Sequence, residues 1–141
     1  VAGALLAGRE RADTKATALV FVGHGTERSA NAAFGKLERV MHERGCENAF
    51  VGAALGQPSA GQVLEKVRRC GATKVALIPL MLVAGGHVRC DMAGEAEGSW
   101  KSVFMRAGFE VECVTEGMGQ NEAIRAIYVE HVQRALKDSG F

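Results

Sequence analysis

Residues 77–94 read LIPLMLVAGGHVRCDMAG, an apolar run that ends in small residues and then presents His87, Arg89 and Asp91 within five positions. The run already begins at Val75 and Ala76, and it reaches Val83 without a charged residue. A strand buried on both faces has no polar side to show to water, so it reads as a near-continuous apolar stretch. Gly85 and Gly86 follow it and leave the backbone open to a ligand. Open α/β sheets bind their ligands beyond the carboxyl ends of the strands. The stretch therefore predicts a central parallel strand, Lys74 to Val83, with a functional loop at its end.

Similar signals lie on both sides. Ala18 to Val22, closed by Gly23-His24-Gly25, reads as a first buried strand, and Ala49 to Ala54, closed by Leu55-Gly56-Gln57-Pro58, as a second. Phe109 to Val114 alternates as a fourth, more exposed strand. Between them apolar residues recur at spacings of three and four, which predicts helices over Ser29–Arg44, Ser59–Cys70, Gly94–Gly108 and Asn121–Lys137. The last of these is expected to bury Ile124, Ile127, Tyr128, Ala135 and Leu136, and Trp100 and Phe104 are expected in the core. Ser29 is the expected cap of the first of these helices and Gly45 its stop. Residues 1–16 read as the end of a helix already under way followed by a polar linker, and 17–141 as one α/β domain. The chain opens on Val1, so a preceding segment is expected. Strands alternating with crossover helices call for a three-layer domain with a four-stranded, mostly parallel sheet.

The composition narrows the function classes. With 141 residues, 48% of them hydrophobic and 23% charged, the chain has enough apolar content for one packed core and too much for a disordered segment. A net charge of +1 gives no field of one sign, so neither nucleic acid nor a membrane surface is expected as partner. No apolar run reaches the roughly 18 residues of a membrane span. The four cysteines, Cys46, Cys70, Cys90 and Cys113, show no C-x-x-C spacing. A reduced, cytoplasmic setting is therefore expected, in place of a zinc knuckle or a disulfide framework.

The chemistry-bearing residues gather at the predicted strand ends. His24, between two glycines, is either a ligand or proton acceptor, or a tight-turn residue that caps the next helix. His87 shares its loop with Arg89 and Asp91. If the first and third strands are neighbours, the two histidines face one another over a cleft, and such a pair suits cobalt, nickel, iron or zinc. Arg28 and Arg89 are candidates for pairing with the carboxylates of a polyanionic ligand. His42 and His131 fall within helices beside charged neighbours and read as solvated, and Cys90 as a buried thiol.

Two strings carry a resemblance. GHGTERSAN at 23–31 and PLMLVAGGHVRCDMAGEAEGSWKS at 79–102 resemble the anaerobic sirohydrochlorin cobaltochelatases of cobalamin biosynthesis, in the type II chelatase family, and match the carboxyl-terminal half of its two-domain members. The resemblance implies a flavodoxin-like, Rossmann-like α/β domain with a chelatase-like fold, one of a pair facing across a tetrapyrrole cleft. It implies insertion of Co²⁺, with Fe²⁺ or Ni²⁺ as alternatives, into sirohydrochlorin without ATP and without an organic cofactor. It assigns His24 and His87 as catalytic residues and metal ligands, and the strings around them, with Gly23, Gly25, Arg28, Gly85, Gly86 and Arg89, to substrate binding. The implied partners are the tetrapyrrole and either a second copy or a missing amino-terminal domain. Two positions depart from the family pattern. Leu55 stands where a glutamate is usual, and Gly86 where an aspartate precedes the second histidine, which predicts a looser hold on the His87 tautomer. Leu55 keeps open an alternative, a weakened homologue that binds metal or tetrapyrrole for delivery or storage.

Overall fold

The apolar run becomes β3, Lys74–Leu80, in a computed structural model that describes residues 2–6, 16–26 and 31–139. Its partners are β1 (Thr17–Gly25), β2 (Ala49–Leu55) and β4 (Glu110–Cys113). They form one four-stranded sheet in the order β2-β1-β3-β4, and every pairing is parallel. Successive side chains of a strand face opposite sides of its sheet, and β1 divides accordingly. Ala18, Val20 and Val22 enter one core cluster, and Leu19 and Phe21 enter the other.

Helices cover both faces. On the first lie α3 (Ala60–Cys70) and α4 (Trp100–Arg106), which bury Val63, Leu64, Val67, Trp100 and Phe104. On the second lie α1 (Ala2–Leu6), α2 (Ala32–Glu43) and α5 (Glu122–Asp138), contributing Ala2, Leu5, Met41 and Ile124. Caps set where these helices begin. Ser59 and Gln62 form a reciprocal capping box on α3, Ser99 accepts from the Ser102 amide at α4, and Asn121 accepts from the Ile124 amide at α5.

The sequence expectations differ from the structure at several ends. β3 stops at Leu80, three residues short of Val83, because residues 81–83 turn out of the sheet. Pro79 is tolerated in a central strand because the Leu77 carbonyl, two residues earlier on the same side, accepts from Val114 just past β4. Its missing N–H thus faces a position with no strand beside it. α4 begins at Trp100, where Ser99 supplies the cap, so residues 94–99 lie outside the helix predicted to start at Gly94. The outer part of α5 is not buried as predicted: Tyr128 and Leu136 are about half exposed, as are Val129 and Val132. The α1 residues Ala2 and Leu5 share a core with α2 and α5, and the Asn121 side chain donates to the Ala4 carbonyl, so core contacts extend to both sides of residue 16. The polar linker expected before residue 17 and the Ser29 cap fall mostly or wholly outside the described residues.

Candidate metal site at the sheet edge

The strand order reverses between β1 and β3, and the ends of those two strands carry the two histidines. In a doubly wound sheet the two connections leaving such a pair go to opposite faces, which opens a crevice between them. Val22 and Gly23 pair with Pro79 and Leu80, so His24 leaves β1 level with the point where β3 turns out toward His87. Their ring centroids are 4.3 Å apart and the ring planes cross at 78°.

Each ring is held by its Nδ1. The Nδ1 of His24 lies 3.0 Å from the Gly25 carbonyl oxygen, and that of His87 lies 2.5 Å from a carboxylate oxygen of Asp91. Both partners can only accept, so in the neutral rings Nδ1 carries the proton and Nε2 keeps its lone pair. Two exposed imidazoles in contact, each with a free Nε2, constitute a pair of borderline ligands or proton acceptors. Among the described residues no group of three or more His, Cys, Asp or Glu side chains is placed to hold an ion.

Local sequence explains the posture of His87. Residues 86–87 begin a helical turn that continues as the π-helical turn Val88–Met92, where Val88 and Met92 are fully buried against the first core cluster. Burying that face turns His87 and Asp91, four residues apart, outward on a shared side. The looser His87 tautomer expected from Gly86 is therefore not found, because the Asp91 carboxylate holds Nδ1 from the other direction. Arg89 is exposed on the same turn, but two positions from His87 a residue projects from a different side.

The candidate glycines separate into two kinds. A side chain at Gly23 would run into the Phe34 ring, 2.4 Å from the Cβ position, so this glycine admits a helix residue. Gly25 has φ +74° and would place a Cβ 2.2 Å from the Leu55 carbonyl oxygen, a left-handed position and a close strand contact together. Gly85 and Gly86 face open space and are exposed. Only the second pair leaves room for a ligand. Arg28, with Glu27, lies outside the described residues.

Sequence reading missed Asn31. Its Oδ1 accepts from the Thr26 amide at 2.9 Å, and its Nδ2 donates to the carbonyls of Thr26 (2.8 Å), Gln57 (3.0 Å) and Leu55 (3.1 Å). One amide thus ties the turn after His24 to the turn after β2. The available signal was an Asn at the amino-terminal cap of α2, a position where side-chain bonds to backbone are common. Two other readings change. His42 is not solvated: its Nε2 bonds the Ala49 carbonyl at 2.7 Å and its ring meets Phe50 edge-on. Cys90 is exposed, whereas burial raises the pKa of the Cys113 thiol above its usual range, with Lys101 opposing.

Comparison with known proteins places the chain among relatives. A family model described as "Cobalt chelatase (CbiK)" matches residues 4–137. The chain is 41% identical over 118 residues to a sirohydrochlorin cobaltochelatase of Salmonella typhimurium, covering 84% of this chain and 44% of that protein. It is 30% identical over 135 residues to the sirohydrochlorin cobaltochelatase CbiKC of Nitratidesulfovibrio vulgaris, covering 96% of this chain and 48% of the other. The chain therefore spans about half the length of the curated relatives it matches. Among solved structures, a CbiX protein from Marinobacter aquaeolei VT8 superposes with a TM-score of 0.65 over 89% of this chain and 98% of that one, at 20% identity, a likeness of fold.

Proposed function

We propose a function from one premise: the chain belongs to the cobalt chelatase (CbiK) family. It inserts Co²⁺ into sirohydrochlorin, without ATP, as a step of cobalamin biosynthesis. The observation that carries this reading is the pair of free Nε2 atoms at the crevice between β1 and β3.

Metallation must strip water from the ion and remove two protons from ring nitrogens. The pair meets both needs in sequence. Nε2 of His24 and Nε2 of His87 replace water on the incoming ion. As the ion passes to the tetrapyrrole nitrogens each imidazole lone pair is released, and it takes up one of the two N–H protons. Co²⁺ and the doubly protonated ring become the neutral-core complex and two imidazolium ions, which then lose their protons to water. The same ligand set accepts Fe²⁺ or Ni²⁺. Gly85 and Gly86, exposed and facing open space, are assigned to the substrate side, and Arg28 and Arg89 go with them by sequence alone. The site is open, so a second α/β domain, from another copy or from a longer chain, closes it over the substrate. All four cysteines are free, which fits the cytoplasm. No described helix is long and apolar enough to cross a membrane.

Leu55 favours a second reading. It is 41% exposed at the end of β2 and supplies neither a ligand nor a base, which suits a protein that holds metal or tetrapyrrole for delivery or storage. The visible spectrum of sirohydrochlorin separates the two readings. On adding Co²⁺ and the chain, conversion to the cobalt complex faster than the protein-free rate supports the chelatase. Binding of the tetrapyrrole with no acceleration supports the carrier.

A further inference from the structure

Leu55, Leu82 and Val83 are large apolar residues that stand exposed at one end of the sheet, by 41%, 48% and 77% of their surface. Strand order puts them on either side of the histidine pair. Leu55 ends β2 and pairs with Gly25, the residue after His24. Leu82 and Val83 leave β3, five and four residues before His87. The segment bearing them is not loose: the Leu82 carbonyl accepts from the Gly119 amide at 3.0 Å, and the Met81 carbonyl from the Met118 amide at 2.7 Å. Leu55 is equally fixed, since its carbonyl accepts from Asn31. Beside them Gly85 and Gly86 leave open space.

We propose that Leu55, Leu82 and Val83 form an apolar seat for the face of the tetrapyrrole ring, with the histidine pair at its centre. This rests on the reading of His24 and His87 given above. Neighbouring strands lie about 4.8 Å apart, so a macrocycle whose metal reaches the two Nε2 atoms must cover side chains one strand away on either side. Those side chains are apolar, whereas a ring with charged substituents only at its rim presents an apolar face. Apolar groups held exposed on fixed backbone are pre-organised for such a surface. Leu55 is on this view a substrate contact.

The test uses metal-free sirohydrochlorin, titrated by its visible absorption into the chain and its Leu55→Ser, Val83→Ser and Val132→Ser variants. Val132 is also exposed, by 59%, but lies about three turns along α5. Replacing one apolar contact with a hydroxyl is expected to weaken binding about tenfold at Leu55 and at Val83 and to leave Val132→Ser unchanged. Co²⁺ affinity, measured without the tetrapyrrole, is expected to be the same in all four proteins. Unchanged sirohydrochlorin affinity in both seat variants, or no binding by the unmodified chain, overturns the seat. If His24→Ala still abolishes metal insertion when the seat variants bind normally, the seat alone is wrong. If insertion is indifferent to His24 and His87, the underlying reading fails and the seat with it.

Discussion

At the scale of single residues, Asp91 and Asn31 set the posture of the site without facing the crevice as ligands. Asp91 holds His87 by Nδ1, so Asp91→Ala is expected to weaken Co²⁺ binding about 10- to 100-fold, the usual effect of removing the carboxylate that orients a ligating imidazole. Isothermal titration checks this, and an unchanged melting temperature is expected because His87 and Asp91 are both about half exposed. Asn31→Ala behaves differently. It strips partners from one amide and three carbonyls, and leaving such groups unpaired costs about 1–3 kcal/mol. A lowered denaturant midpoint together with weaker Co²⁺ binding is expected, since the His24 turn loses its anchor. The two histidines were legible in the sequence because each follows an apolar run and stands among glycines. Asp91 was visible as a neighbour, but its partner was not, because the sequence pointed to the position before His87 and the carboxylate comes from one turn after it. Asn31 was illegible as a hub: two of its four bonds reach Leu55 and Gln57 at the end of another strand, and no local pattern encodes that.

At the scale of elements, buried strands were read well and their ends poorly. An apolar run predicts burial, but here the run continues past the last paired residue into the exposed Leu82 and Val83, which is why β3 seemed to reach Val83. Conversely, β1 extends to Gly25, past the apolar run, because main-chain pairing with Leu55 needs no side chain at all. The apolar spacing in α5 was real, but spacing reports a face and not what covers it. Only its first turns meet the sheet, at Ile124 and Ile127. Where strand and helix meet closely, the fold depends on a missing side chain. The ring of Trp100 lies 2.3 Å from where a Cβ on Gly52 would stand, with Val63 at 2.9 Å and the Pro58 carbonyl at 3.0 Å. Gly52→Ala is therefore expected to destabilise the chain by about 1–3 kcal/mol, the range for overpacking a filled core. Urea unfolding followed by tryptophan fluorescence measures it, and an unchanged midpoint would mean that α4 can shift away from β2.

At the scale of the whole molecule, the order β2-β1-β3-β4 brings together two histidines sixty-three positions apart in sequence. Right-handed crossovers put consecutive helices on the faces and leave the strand ends free. The reversal of strand order then brings the first and third of those ends together. The sequence supported alternating strands and helices, hence a parallel sheet, but the adjacency of β1 and β3 entered only as a condition, because pairing order is a long-range property. The measurement that bears most directly on the account is Co²⁺ insertion into sirohydrochlorin by the chain, His24→Ala and His87→Ala, with folding of each checked by circular dichroism. The account predicts accelerated insertion by the unmodified chain and a loss of at least about 100-fold in each folded variant, since neither ring contributes to the core. Insertion that proceeds at the unmodified rate in both variants would contradict it.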